Sequence, residues 1–185
     1  AIGASTDNTK AIAQVLEKLP KNMPPIIITQ HMPAGFTKSF ADRLNNLCEN
    51  LEVREAADGD RLHNGLVLIA PGDYHLLLER DGAKFKARVK SGPRVSRHRP
   101  SVNVMFHSVA NYAGKNAIAV ILTGMGDDGA EGLLALRQKG ARTIAQNEET
   151  CVVYGMPREA VERGAAEFVA PLEKIPYKIV ELINQ

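Results

Sequence analysis

From Asn116 to Leu122 the chain reads Asn-Ala-Ile-Ala-Val-Ile-Leu, with no charge and no alternation of apolar and polar residues. A strand with one wet face alternates, so a run like this has to be covered on both faces. In a chain of 185 residues that cover is a layer of helices on each side of a parallel sheet. Pro25-Ile26-Ile27-Ile28-Thr29-Gln30 has the same character. Both runs end in loops, His31-Met32-Pro33-Ala34-Gly35 and Thr123 to Gly129, and helical spacing resumes after each. The opening stretch repeats the pattern: Ala1-Ile2-Gly3-Ala4-Ser5-Thr6 precedes Ala11, Ile12, Val15, Leu16 and Leu19 at helical spacing, stopped by Pro20.

Further strands are expected at Leu51 to Ala56, Leu66 to Ala70, Arg142 to Ala145 and Phe168 to Ala170. Helices are expected from Phe36 to Leu47, Val102 to Tyr112, through Leu133, Leu134 and Leu136 to Gly140, from Met156-Pro157, and from Leu172 to Ile183. Tyr74 to Leu78 and Ala83 to Val89 flank Arg80-Asp81-Gly82, a turn signal that predicts a hairpin. The fold class is α/β: one doubly wound, mainly parallel sheet flanked by helices, with an antiparallel hairpin at an edge. Residues 1–185 show no repeat or linker and read as one domain.

Composition excludes several functions. The 23 basic and 21 acidic side chains nearly cancel, which argues against a nucleic-acid or membrane-surface protein. No apolar run approaches the ~20 residues of a membrane span. Cys48 and Cys151 form neither a disulfide framework nor a zinc spacing, and two scattered thiols suit a reducing cytoplasm. The five histidines have no metal-ligand pairing at i, i+4 on a helix. No metal and no cofactor is expected.

Open parallel sheets place ligands beyond the carboxyl ends of their strands. Ser5, His31 and Asp128 all stand just beyond a predicted buried strand. A serine needs a base to take its proton, and the base needs an acid to orient it. If the three strands are neighbours, these side chains can meet. Each residue also has a plainer reading: Ser5 or Thr6 as a helix cap, His31 as a surface loop residue, Asp127-Asp128 as the cap of the next helix. A rival function uses the same glycines. Gly124-Met125-Gly126-Asp127-Asp128-Gly129 matches the dinucleotide fingerprint G-x-G-x-x-G, with Glu148 and Glu149 about 20 residues on. Two carboxylates inside that turn would repel a pyrophosphate.

Taken together, Gly3-Ala4-Ser5-Thr6, Gln30 to Thr37, Arg97-His98-Arg99-Pro100-Ser101, Leu122 to Ala130, and Ala145-Gln146-Asn147 through Met156-Pro157 resemble the chemotaxis protein-glutamate methylesterases, the CheB family. The similarity runs the length of the chain and corresponds to the family's catalytic domain, without the receiver domain that usually precedes it. It implies Ser5 as nucleophile, His31 as general base, Asp128 as the orienting acid and the Met125 backbone N–H as an oxyanion donor. It implies demethylation of glutamate methyl esters on the cytoplasmic helices of methyl-accepting chemotaxis receptors, releasing methanol, with deamidation of receptor glutamines as a related activity. Asp7-Asn8 departs from the family's usual Gly-Gly. If Asp7 points inward, its charge opposes a developing oxyanion. Thr6, Arg97 and Arg99 are candidate substrate contacts, the arginines because a basic loop (Arg94, Arg97, His98, Arg99) suits an acidic receptor helix. A dinucleotide-binding domain using the Gly124–Gly129 loop and a receptor-binding module with weakened catalysis remain as alternatives.

Overall fold

The structure is a computed structural model that describes residues 1–5 and 9–185. In chain order its elements are β1 (Ile2–Ser5), α1 (Lys10–Glu17), β2 (Ile26–Gln30), α2 (Thr37–Leu47), β3 (Glu52–Glu55), β4 (Leu66–Ile69) and β5 (His75–Asp81). There follow β6 (Lys84–Lys90), α3 (Val102–Tyr112), β7 (Ile118–Gly124), α4 (Ala130–Gln138), β8 (Arg142–Gln146), α5 (Met156–Glu162), β9 (Phe168–Ala170) and α6 (Ile175–Ile183). Seven strands form one sheet in the order β3-β4-β2-β1-β7-β8-β9, and every pairing in it is parallel.

Because each unalternating strand sends side chains both ways, the sheet divides the core in two. Along β4, Val67 and Ile69 join the cluster formed by Ile12 and Leu16 of α1, Phe40 and Leu44 of α2, and Ile175 and Ile179 of α6. Leu66 and Leu68 point to the opposite face, with Met105 and Phe106 of α3, Leu133 and Leu136 of α4, and Met156 of α5. The double winding expected from the sequence is the way these two faces are covered.

The predicted hairpin is antiparallel, from His75↔Lys90 to Asp81↔Lys84. It stands as a two-stranded sheet of its own and does not extend the main one. Leu76, Leu78 and Ala87 belong to the same core cluster as α3, and Ser108 Oγ on α3 accepts the Leu78 N–H at 2.8 Å. Packing onto that helix face takes the hairpin over the sheet. Among the described residues no helix is long and apolar enough to cross a membrane.

The chain leaves β1 for β2 and its outer neighbours, then returns to β7 on the other side of β1. That reversal is a topological switch point, where the carboxyl ends of the strands open a crevice. It brings the ends of β2, β1 and β7 side by side.

Candidate active site

Ser5 lies between two loops fixed by strand register. On one side Ala4 pairs with Gln30, and the His31 N–H donates to the Ala4 carbonyl at 3.1 Å. On the other, the β1–β7 register shifts between Gly3 and Ser5, so that Ser5 pairs with Gly124. The approach there is close. A Cβ on Gly124 would lie 2.4 Å from Met156 Sδ and 2.6 Å from the Ser5 carbonyl oxygen. Beneath it, the Gly124 N–H donates to the Val153 carbonyl, and the Gly155 N–H donates to the Gly124 carbonyl, both at 3.1 Å. Buried Gln146 holds the end of β7 through the Thr123 N–H at 2.8 Å.

The imidazole of His31 meets the carboxylate of Asp128, Nε2 to Oδ2, at 2.6 Å. Asp128 sits at the start of α3. Its Oδ1 accepts the Ser101 hydroxyl at 2.8 Å and the Asn103 N–H at 2.9 Å, and its Oδ2 accepts the Val102 N–H at 2.7 Å. Helix N-termini carry unpaired N–H groups and a positive dipole end, which suit an anion. Burial alone would push this carboxyl up, but the hydrogen bonds from His31, Asn103 and Val102 outweigh it and its pKa is lowered. Asp128 is therefore an ionised, fully buried partner for His31. It does cap a helix, though the helix is α3 and not the one that follows it. Gly129 makes this turn possible: its φ is 102°, and a Cβ there would come within 2.7 Å of Val102 Cγ1.

On its flat side, His31 stacks on His98 with ring centroids 3.5 Å apart and planes 8° from parallel. Its Nδ1 is buried and has no hydrogen-bond partner among the described residues. With Nε2–H committed to Asp128, Nδ1 is the nitrogen left to accept a proton. Burial and the facing His31 lower the His98 pKa, against the opposing pull of Asp128 and Asp127.

The structure separates the two adjacent aspartates. Asp128 is 1% exposed, whereas Asp127 faces solvent 3.7 Å from Arg163. Met125 follows the Ser5-packed Gly124 and exposes its side chain. Arg97 is exposed with φ of 73°. Arg99 instead straps its own loop, donating to Asp73 Oδ1 at 2.6 Å and to the Gly92 carbonyl at 2.6 Å. Arg94 lines a cleft of about 560 Å³ shared with His31, Pro33, Asp73 and His98. Thr6 and Asp7-Asn8 lie outside the described residues.

In the G-x-G-x-x-G loop, the space beside Gly124 and Gly129 is taken by Met156, Ser5 and Val102. Those glycines serve close packing, and Asp128 turns inward where a dinucleotide fingerprint would present backbone to phosphate. The bonds made by Ser101 and Gln146 and the His31–His98 stack are site features that the sequence does not foretell, although all these residues lie within the motifs that carry the resemblance. Ser101 does stand where a cap belongs, directly before an apolar helical run, but nothing local names the carboxylate it would meet.

The family model described as CheB methylesterase matches residues 1–179. The protein-glutamate methylesterase/protein-glutamine glutaminase of Salmonella typhimurium (strain LT2) is 56% identical over 184 residues, 100% of this chain and 52% of that protein. One from Geobacter metallireducens is 55% identical over 181 residues, 98% of this chain and 51% of that protein. The chain thus spans about half the length of the curated relatives it matches. The crystal structure of the Thermotoga maritima CheB methylesterase catalytic domain superposes with a TM-score of 0.94 at 43% identity, covering 98% of this chain and 96% of that one. With its parallel sheet, its inward-turned Asp128 and this agreement over the whole length, the chain belongs to the CheB methylesterase family.

Proposed function

We propose that the chain is a serine esterase that hydrolyses glutamate methyl esters on methyl-accepting chemotaxis receptors. The observation that carries this reading is the 2.6 Å contact of His31 with a buried, helix-anchored Asp128 beside the strand end that bears Ser5. His31 Nδ1 takes the hydroxyl proton as Ser5 Oγ attacks the ester carbonyl. Asp128 accepts the Nε2–H, holds that tautomer and stabilises the imidazolium that forms. The Met125 backbone N–H helps to hold the oxyanion, a kind of donor whose loss typically costs ~3 kcal/mol. His31 then returns the proton to the departing methoxy group and methanol leaves. Water, deprotonated by the same Nδ1, cleaves the glutamyl-serine ester to release glutamate and free Ser5.

The curated relatives are also named protein-glutamine glutaminases. The same steps applied to a glutamine side chain expel ammonia instead of methanol, so deamidation needs no second site. Exposed Arg97 and cleft-lining Arg94 offer positive charge to an acidic receptor helix. Such helices place the reaction in the cytoplasm, and a receiver domain on a longer chain is the natural regulator.

Methanol release from methylated receptor membranes tests the reading. Release is expected from the wild-type chain and at least a thousandfold less from Ser5→Ala. Receptor binding without release would favour the weakened binding module, and substantial turnover by Ser5→Ala would remove Ser5 from the nucleophile's role.

A further inference from the structure

The bond from His31 Nε2 to Asp128 fixes one end of the imidazole but leaves rotation about the line from Cβ to that nitrogen. Such rotation would swing Nδ1 away from the serine. A flat partner against the ring face removes that freedom, and His98 is such a partner at 3.5 Å and 8°. We propose that His98 is a positioning residue: its ring fixes the plane of His31, and with it the direction of Nδ1. This deepens, and rests on, the Ser5–His31–Asp128 reading above.

The surroundings of His98 are built to hold it still. The N–H groups of Val95 and His98 each donate to the other's carbonyl at 2.9 Å. Asn103 Nδ2 donates to Ser96 Oγ at 3.1 Å, and Arg99 is strapped to Asp73. The same segment, residues 95–103, ends in the Ser101, Val102 and Asn103 donors that seat Asp128. One stretch of chain thus meets the face of His31 and the carboxylate at its edge.

Among the described residues, the charged and titratable groups around His98 include His31 on the β2 loop, Asp127 and Asp128 on the β7–α4 loop, Asp73 before β5, and Arg94 and Arg99 on its own loop. A neutral ring presents its electron-rich face to the imidazolium formed on His31, whereas a protonated His98 would oppose it. An aromatic ring without a proton to gain should therefore do the same work.

The test compares wild type, His98→Ala, His98→Phe and Ser5→Ala in two ways. Methanol release gives kcat and KM across pH 5–9, and nitrogen NMR of 15N-labelled histidine reports the His31 tautomer. For His98→Ala we expect kcat to fall about tenfold or more at unchanged KM, since misplacing a reacting group by ~1 Å can cost up to a hundredfold. The His31 nitrogens should shift from one fixed tautomer, with Nδ1 unprotonated, to an average. His98→Phe should recover most of kcat and the fixed tautomer, with activity persisting to lower pH than in wild type. Wild-type kcat and spectra in His98→Ala, or a His98→Phe variant as impaired as His98→Ala, would overturn the proposal. Turnover by Ser5→Ala would sink the serine mechanism instead, and the nitrogen spectra would still decide whether His98 orients His31.

Discussion

Ser101 Oγ donates to Asp128 Oδ1 at 2.8 Å while accepting the Val104 N–H at 3.4 Å. One hydroxyl thereby starts α3 and seats the carboxylate that bonds His31. Both ends of this contact are buried, so removing it leaves polar groups without water to replace it. Ser101→Ala is expected to destabilise the fold by about 1–3 kcal/mol and to lower kcat without raising KM. Urea unfolding and steady-state methanol release on the same preparation check both halves. A stability loss with unchanged kcat would mean that the Val102 and Asn103 amides suffice to hold Asp128.

The lowered pKa of Asp128 ties stability to pH. A carboxyl whose folded-state pKa is depressed stabilises the fold above its unfolded value of ~3.9, and that contribution is lost as pH falls through the folded value. Asp128→Asn should therefore melt below wild type at neutral pH, with the gap closing below about pH 4. Thermal melts at a series of pH values read this directly. A gap that widens in acid would contradict an ionised Asp128.

Gly124→Ala tests the fit between β1 and β7. Its Cβ would fall 2.4 Å from Met156 Sδ, which can give way, and 2.6 Å from the Ser5 backbone oxygen, which cannot do so without moving β1. We expect a cost of about 1–3 kcal/mol and a fall in kcat larger than an equally destabilising change remote from the site produces. Comparing kcat with Val120→Ala, on the opposite face of the same strand, separates displacement of Ser5 from general weakening.

Two arginines of one loop should behave differently. Arg97→Ala is expected to weaken binding to receptor fragments and to flatten its salt dependence, with the melting temperature unchanged. Arg99→Ala should instead loosen residues 92–103 and lower kcat, because Arg99 is bound to Asp73 and the Gly92 carbonyl. Binding measured over a salt series, with melts alongside, distinguishes the two. Equal effects would show that the strap contributes nothing to the site.

These expectations show what the sequence carries and what it does not. The runs at Ile26–Gln30 and Ile118–Gly124 are legible as buried strands because burial on both faces leaves no polar alternation. Ser5, His31 and Asp128 are legible as residues after such runs. The choice of Asp128 over Asp127 rests on family resemblance, since local chemistry treats the two alike; the structure parts them by burial. Contacts that depend on chain return stay hidden. Asp128 reaches α3 across 26 residues and His31 across 97, and Arg99 reaches Asp73 across 26. The hairpin turn is local chemistry, but its seat on α3 is decided by which core face takes Leu76 and Leu78.

The divided core gives neighbouring positions unequal reach. Along β4 the parity of a residue determines who feels its loss. Leu68→Ala opens a hole on the side that carries α3, and through its first turn Asp128, whereas Val67→Ala opens one beneath α1, α2 and α6. Two adjacent truncations thus injure different faces of the sheet, the even-numbered one the face that carries α3 and Asp128, the odd-numbered one the face that holds Ala4 and Met32 beside Ser5 and His31. Tolerance to substitution along this strand should accordingly be uniformly low for stability, while even-numbered losses reach the site through Asp128 and odd-numbered ones through the ends of β1 and β2.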